Sequence, residues 1–247
     1  MAPQRTELVQ VADPAALARR ACERVLELAA QSIAERGAFR VALSGGSTPK
    51  LLYAELAERA AVANFSRWRV FFGDERCVPP EHADSNYRMA NESWLGRGLV
   101  PATQIHRIRG ELDPFEAASE YERELTADFG TREAPRFDLV LLGMGADGHT
   151  ASLFPGSSAL EETRCFVTST WVEQLGAHRV TLTKRTINAA RCVMFLVAGA
   201  DKAQTLREVL HGAPDPRKRP AQLVQPWDGA LIWLVDRAAA AGLGRVE

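Results

Sequence analysis

The chain has 247 residues, of which 46% are hydrophobic and 25% are charged, a composition that excludes a disordered or fibrous protein. This length suits one large α/β domain, so we expect a single domain over residues 1–247. Lysine and arginine (30) nearly balance aspartate and glutamate (31). The chain therefore lacks the broad basic field that nucleic acid binding requires, and any anion must be bound locally.

The four cysteines are widely spaced, with no CxxC pair, which predicts reduced thiols and no metal site. The first ten residues hold no apolar core of a signal peptide, and no segment approaches the roughly 18 apolar residues of a membrane span. We therefore expect a cytosolic protein with no membrane partner. The sequence leaves the oligomeric state open, and a monomer is the simplest expectation.

The first elements in chain order are a helix, a strand and a second helix. Residues 13–36 show helical periodicity, with Asp13 as the N-cap and Pro14 at the first helical position. Residues 39–43 form a short apolar run that predicts a strand. A glycine turn with the sequence SGGSTP follows it, and residues 48–59 then predict another helix.

The same alternation continues to the end of the chain. Further strands or extended pieces are predicted at residues 68–72, 105–108, 137–142, 165–171, 179–182, 193–197 and 230–235. Further helices are predicted at residues 85–95, from residue 113 onward, and at residues 184–190 and 201–211. This order predicts an α/β fold with a mostly parallel sheet and helices on both faces. The Pro-rich stretch GAPDPRKRPAQ is interpreted as a solvated surface loop.

Ligands of parallel sheets bind at the carboxyl ends of the strands, so the segments that follow strands are the candidate sites. The first such segment exposes backbone N–H groups at its glycines and leads into a helix, whose N-terminus carries partial positive charge. Its composition exceeds what a helix cap needs, and we interpret it as a phosphate-binding loop. It consists of Ser44, Gly45, Gly46, Ser47 and Thr48. The spacing does not fit the Walker A motif, which disfavours nucleoside triphosphate hydrolysis.

The second segment, GMGADG, matches the glycine pattern of dinucleotide-binding folds. We reject that interpretation because Asp147 and His149 lie in the loop itself and Pro155-Gly156 soon ends any helix. An imidazole beside a carboxylate at a strand end is typical of a catalytic site. Imidazole can accept a proton from water and return it to a leaving oxygen, so His149 is the candidate base and Asp147 its partner.

Charged residues follow a third strand, in the segment Gly73-Asp74-Glu75-Arg76. Asp74 and Arg76 are candidates for ligand binding, since guanidinium groups bind phosphate or carboxylate in a bidentate manner. Arg179, at the head of a later strand, and Lys202, at the start of a helix, are further candidate cations for the same anion.

Several motifs together resemble the 6-phosphogluconolactonase family. They are VALSGGSTPKLLYAEL, FFGDERCVPPEHADSNYRMA, LLGMGADGHTASLFPG, HRVTLT, AGADKAQTL and LIWLVDRAA. They cover nearly the whole chain in the family's order, and GADGHTASLFPG is the most specific. The resemblance implies a Rossmann-like α/β fold that is shared with glucosamine-6-phosphate deaminases, and hydrolysis of 6-phospho-D-glucono-1,5-lactone to 6-phosphogluconate without a cofactor.

The resemblance also implies a role for each matched residue. His149 would activate the attacking water, and Asp147 would be the partner that orients His149. The loop of residues 44–48 would hold the phosphate with Arg179 and Lys202, while Asp74 and Arg76 would line the sugar pocket.

Two rival functions remain as alternatives. A glucosamine-6-phosphate deaminase or isomerase carries similar loops, but this chain has Phe154 where that family has a glutamate, and Asp-Glu-Arg where it has Asp-Glu-Tyr. A sugar-phosphate sensor would need a DNA-binding module, and the single helix before Phe39 is too little for a helix-turn-helix. The fold by itself does not decide between enzyme and sensor.

Overall fold

The computed structural model describes residues 5–131 and 133–243. The strands within these ranges are β1 (Arg5–Val11), β2 (Phe39–Leu43), β3 (Trp68–Phe72), β4 (Asp74–Arg76), β5 (Leu139–Leu142), β6 (Val167–Val172), β7 (Ala177–Leu182), β8 (Cys192–Val197) and β9 (Ala230–Asp236). The α-helices are α1 (Pro14–Arg36), α2 (Ser47–Ala57), α3 (Asn86–Ser93), α4 (Pro114–Phe129), α5 (Lys184–Asn188) and α6 (Ala203–His211). None of these helices is long and apolar enough to cross a bilayer.

Six strands form one parallel sheet in the order β1-β9-β8-β5-β2-β3. Every residue of β5 and β8 is buried, which requires cover on both faces of the sheet and explains why these strands are apolar throughout. The expected α/β fold with a mostly parallel sheet is confirmed. One hydrophobic core extends from the sheet to the helices.

A second, three-stranded sheet has the order β4-β7-β6 and is antiparallel. The sequence did not predict it, since β4 has only three residues and the segment GDERCVPPEH was interpreted as a loop. Strand β1 was also missed, because its sequence mixes polar and apolar residues and it lies at the sheet edge. Conversely, the extended piece at residues 105–108 makes only an isolated bridge between Ile105 and Val70.

The interpretation of GAPDPRKRPAQ as merely a solvated loop fits residues 212–218, which are exposed or partly exposed, but not the end of the stretch. Pro220 and Ala221 are buried, and the backbone N–H of Ala221 donates to the carbonyl of Gly148 at 2.9 Å. Arg219 forms an ion pair with Glu208 of α6. The proline and the buried backbone bond turn this segment inward, where it supports the loop that carries His149.

Two tyrosines fix the chain where β2 and β3 end. The hydroxyl of Tyr53 in α2 accepts from the N–H of Ser44 and donates to its carbonyl, at 3.0 and 2.7 Å. The hydroxyl of Tyr121 in α4 makes the same two bonds with Phe72, at 2.8 and 3.0 Å. Buried backbone groups must be paired. Each tyrosine hydroxyl bonds to the N–H and the carbonyl of one residue, in place of the strand that is absent on that side.

We predict that Tyr121→Phe lowers the free energy of unfolding by about 1–3 kcal/mol, because both backbone groups of Phe72 then lose a buried partner. Urea denaturation measures this change. Tyr87→Phe is the matched control, since the Tyr87 hydroxyl makes no hydrogen bond to any described residue and should change stability by less than about 0.5 kcal/mol. Equal effects of the two substitutions would contradict the role given to Tyr121.

Candidate active site

The strand order reverses at β2, because the chain runs from β2 to β3 on one side and then returns to β5 on the other. Such a switch point opens a crevice at the carboxyl ends of the strands. A cavity of about 340 Å³ lies there, and it is lined by residues that follow β2, β3, β5 and β8. The lining residues are Ser44, Gly45, Gly46, Ser47, Thr48, Pro49, Asp74, Arg76, Asn86, Gly143, Met144, Gly145, His149, Ala151, Leu196, Ala198, Asp201 and Lys202.

The structure brings together most of the residues that the sequence singled out. The whole loop of residues 44–48 lines the cavity, and so do Asp74, Arg76, His149 and Lys202. Asp147 lies outside the lining and contacts His149 instead. Arg179 also lies outside it, beside Arg76 on the neighbouring strand.

His149 and Asp147 form a close pair. The Nδ1 atom of His149 is 2.6 Å from Oδ1 of Asp147, and the backbone N–H of His149 donates to the same oxygen at 3.1 Å. The imidazole stacks on Phe154, with 4.1 Å between ring centroids. A Cβ atom at Gly145 would lie 2.1 Å from Nδ1 of His149 and 2.6 Å from Oδ1 of Asp147, so only glycine leaves room for this pair.

The environment of Asp147 favours its ionised form. Partial burial raises the pKa of this carboxyl, but the hydrogen bonds from the ring and backbone of His149 outweigh burial, and the pKa of Asp147 is lowered overall. A carboxylate accepts hydrogen bonds and donates none. The imidazole therefore donates through Nδ1, which leaves the lone pair on Nε2 when the ring is neutral.

The segment after His149 connects the two sheets. The Thr150 hydroxyl donates to the carbonyl of Gly143 at 2.8 Å, and the Ser152 hydroxyl donates to Oδ2 of Asp74 at 2.7 Å. Between them, Ala151 has a φ of +46°, in the left-handed region that a residue with a Cβ rarely adopts. The two hydroxyl bonds hold the chain in this conformation.

The first turn of α2 faces the cavity without a side-chain cap. Its N-cap is Gly46, whose φ of 109° only glycine adopts readily, and no side chain bonds to the N–H groups of the first turn. The buried hydroxyl Oγ of Ser44 has no partner among the described residues. Uncapped amides at a helix N-terminus attract an anion, which supports the interpretation of residues 44–48 as a phosphate-binding loop.

Arg76 and Arg179 lie opposite each other in the β4–β7 ladder, on the same face as Asp74. Within the described chain their guanidinium groups donate to the backbone carbonyls of Asp84 and His178 and to no carboxylate. Burial, and next the adjacent charge of Arg76, lower the pKa of Arg179. Two neighbouring cations without a carboxylate favour an anionic ligand.

Lys202 differs from the two arginines because it already has a partner. Its Nζ atom is 2.8 Å from Oδ2 of Asp201, which is an exposed residue at the rim of the cavity. An exposed ion pair of this kind is weak, so the ammonium group can turn to a ligand.

Sequence reasoning missed Asn86 and gave no role of its own to Glu75, although Glu75 lies in the candidate segment Gly73-Asp74-Glu75-Arg76. Asn86 lines the cavity, and the buried Glu75 carboxylate accepts from the backbone N–H groups of Asn86 and Tyr87 at 2.7 and 2.8 Å. Burial raises the pKa of Glu75, and these backbone bonds partly oppose the shift. Asn86 belongs to no glycine loop and no periodic pattern, so no local signal marks it, and the charged segment around Glu75 does not show that this carboxylate contacts Asn86.

Over residues 5–131 and 133–243 there is no cluster of three or more His, Cys, Asp or Glu residues that could hold a metal ion. The chemistry that the lining offers is that of a base, an array of hydrogen-bond acceptors and a set of cations.

Comparison with known proteins identifies the family. Residues 12–233 match the family model described as glucosamine-6-phosphate isomerases/6-phosphogluconolactonase. The chain belongs to this family. A protein of Synechocystis sp. named 6-phosphogluconolactonase is 43% identical, with 98% of this chain and 99% of that protein covered.

Solved structures agree with this assignment. The 6-phosphogluconolactonase from Trypanosoma cruzi matches with a TM-score of 0.87 and 30% identity over 98% of each chain. A monomeric glucosamine-6-phosphate deaminase matches with a TM-score of 0.79 and 21% identity, over 96% of this chain and 99% of that one. This second likeness concerns the fold alone.

The lowered pKa of Asp147 has a consequence for stability. A carboxylate whose native pKa is depressed stabilises the native state above its unfolded pKa of about 4, and the contribution is lost as the pH falls through the lower native value. We predict that the stability difference between the wild type and Asp147→Asn shrinks as the pH falls from about 5 toward 2.

Urea denaturation at several pH values tests this prediction. Asp84→Asn is the control, since Asp84 is an aspartate with a largely exposed side chain. A difference for Asp147→Asn that stays constant over the whole range would contradict the lowered pKa.

Proposed function

We propose that the protein hydrolyses 6-phospho-D-glucono-1,5-lactone to 6-phospho-D-gluconate, the lactone-opening step of the oxidative pentose phosphate pathway. The observation that carries this proposal is the His149–Asp147 pair at a cavity whose wall also holds uncapped helix amides and cations. A base and an anion site in one cavity suit a substrate with a reactive carbonyl and a distant phosphate. The family relatives named 6-phosphogluconolactonase over nearly their whole length support the same substrate.

In this mechanism the Nε2 atom of His149 takes a proton from water while the water oxygen attacks the lactone carbonyl carbon. A tetrahedral intermediate forms and then collapses, breaking the bond from the carbonyl carbon to the ring oxygen. The ring oxygen leaves as a hydroxyl group after it receives the proton from His149. Asp147 holds the imidazole ring of His149 and stabilises the imidazolium that exists between the two proton transfers. No electron is transferred, so the reaction requires no redox cofactor.

The phosphate contributes binding energy at a distance from the reacting carbon. The amides of residues 44–48 receive it together with Lys202 and Arg179, which lies beside Arg76. Binding energy from a remote group orients the ring and brings the carbonyl close to the activated water. Asp74 and Arg76 belong to β4 of the small sheet, line the cavity and contact the sugar.

Deamination of glucosamine 6-phosphate is the alternative within the same family. Ring opening in that reaction needs an acid, and the position that would supply it is Phe154, which stacks on His149. The phenyl ring of Phe154 cannot donate a proton, and it makes an apolar contact with the imidazole. The structure therefore favours the lactonase.

We further propose that the chain acts as one domain and in the cytosol, where its four free cysteines stay reduced. A phosphorylated sugar lactone is its partner, and we propose that it acts as a monomer.

We predict that His149→Ala lowers kcat by about 100-fold or more, because the attacking water loses its base, while 6-phosphogluconate still binds. Initial rates corrected for spontaneous lactone opening measure the first effect, and calorimetry measures the second. His211→Ala is the control, since His211 is exposed at the end of α6. A near wild-type kcat in His149→Ala would remove His149 from its role, and release of ammonia from glucosamine 6-phosphate by the wild type would favour the alternative.

We also predict that Arg179→Ala and Lys202→Ala each raise KM for the phosphorylated lactone by about tenfold or more, as expected for a lost charge-assisted bond to phosphate. Steady-state kinetics with both variants provide the test. Arg217→Ala is the matched control, because Arg217 has a side chain that is 79% exposed and pairs with Glu161 at the surface. If KM is unchanged in both variants, the phosphate is bound elsewhere.

A further inference from the structure

Asn86 is a buried polar residue in the cavity wall that the mechanism above does not use. It is 3% exposed and begins α3. The carboxylate of Glu75 fixes its backbone, because it accepts the N–H groups of Asn86, Tyr87 and Arg76 and the hydroxyl of Ser85. Four donors on one buried carboxylate leave the start of α3 little freedom.

The hydrogen bonds of Asn86 determine which way its amide points. Its Nδ2 atom donates to the backbone carbonyl of Asp74 at 2.9 Å and lies 3.4 Å from the Oδ1 atom of the same residue. Both amide hydrogens are therefore directed at Asp74. The side-chain oxygen Oδ1 remains, and no residue in the described part of the chain donates to it.

The free oxygen lies against the phosphate-binding loop. A Cβ atom at Gly45 would be only 1.9 Å from Oδ1 of Asn86, so a glycine at position 45 is what admits the amide to this place. This oxygen is not one of the fully buried polar atoms that lack a partner, so it is accessible from outside the protein. The cavity that Asn86 lines is the place from which a donor can come.

Asp74 offers a second acceptor beside the first. Its Oδ2 atom accepts from the Ser152 hydroxyl at 2.7 Å, but a carboxylate has room for about four hydrogen bonds. Asp74 also lines the cavity. The wall between the phosphate-binding loop and the small sheet thus presents an amide oxygen and a carboxylate side by side.

We propose that Asn86 is a specificity-determining residue that accepts a hydrogen bond from one ring hydroxyl of the sugar. The neighbouring hydroxyl donates a hydrogen bond to Asp74. This inference rests on the proposed function and adds the groups that recognise the sugar. Hydroxyl groups on adjacent carbons supply two donors at the spacing of two neighbouring acceptors. A site built to bond a hydroxyl discriminates strongly against an analogue that lacks it.

The test uses 6-phosphorylated lactones that each lack one ring hydroxyl, with the wild type, Asn86→Ala and Asn91→Ala. Asn91 is the matched control because it lies in the same helix and outside the cavity lining. For the wild type and Asn91→Ala, kcat/KM should fall by about tenfold or more with two analogues whose missing hydroxyls are adjacent. Asn86→Ala should lose a similar factor with the parent lactone and nothing further with one of those two analogues.

Three outcomes would overturn the inference. The wild type could have the same kcat/KM with all the analogues, or Asn86→Ala could have the same kcat/KM as the wild type with the parent lactone. The third outcome is a loss of kcat/KM in Asn86→Ala that adds to the loss caused by every analogue. Circular dichroism establishes that the variant is folded, and if it is not, Asn86→Ser replaces it with the same expectations. A wild type that fails to hydrolyse the parent lactone would instead overturn the proposed function, which keeps the two failures distinct.

Discussion

The buried carboxylate of Asp74 is the junction on which the rest of the site depends. One of its oxygens holds Ser152, which follows the loop of His149, and its carbonyl and other oxygen hold Asn86 at the start of α3. Asp74 itself belongs to β4 and so to the small antiparallel sheet. Three segments distant in sequence therefore meet at Asp74, which is largely buried. A hydrogen bond is strong and an unpaired charge is costly at such a position.

Close approach of the backbone shapes the cavity around this junction. Gly45 admits the amide of Asn86, and Gly145 admits the paired side chains of His149 and Asp147. At both positions a methyl group would occupy space that a functional side chain needs. The glycines of these loops thus serve the placement of neighbouring side chains as much as the exposure of backbone amides.

The arginines at the two ends of the strands have different hydrogen-bond partners. Near their amino ends, Arg40 and Arg69 both contact the buried Asp128, and Arg36 contacts the buried Asp138. At the carboxyl ends, Arg76 and Arg179 bond only to backbone carbonyls within the described residues. At one end the arginines neutralise buried carboxylates, and at the other end the arginines without carboxylate partners are available for an anion.

The sequence by itself determined the alternation of strands and helices, the glycine loop at residues 44–48 and the pairing of Asp147 with His149, because these depend on periodicity and on residues adjacent in the chain. It did not determine the strand order, the small sheet, or the places of Glu75 and Asn86. It also misjudged the segment around Pro220 and Ala221, whose burial depends on a contact with Gly148. Only the tertiary structure decided these features, since each depends on contacts between residues far apart along the chain, and local propensity contains no information about such contacts.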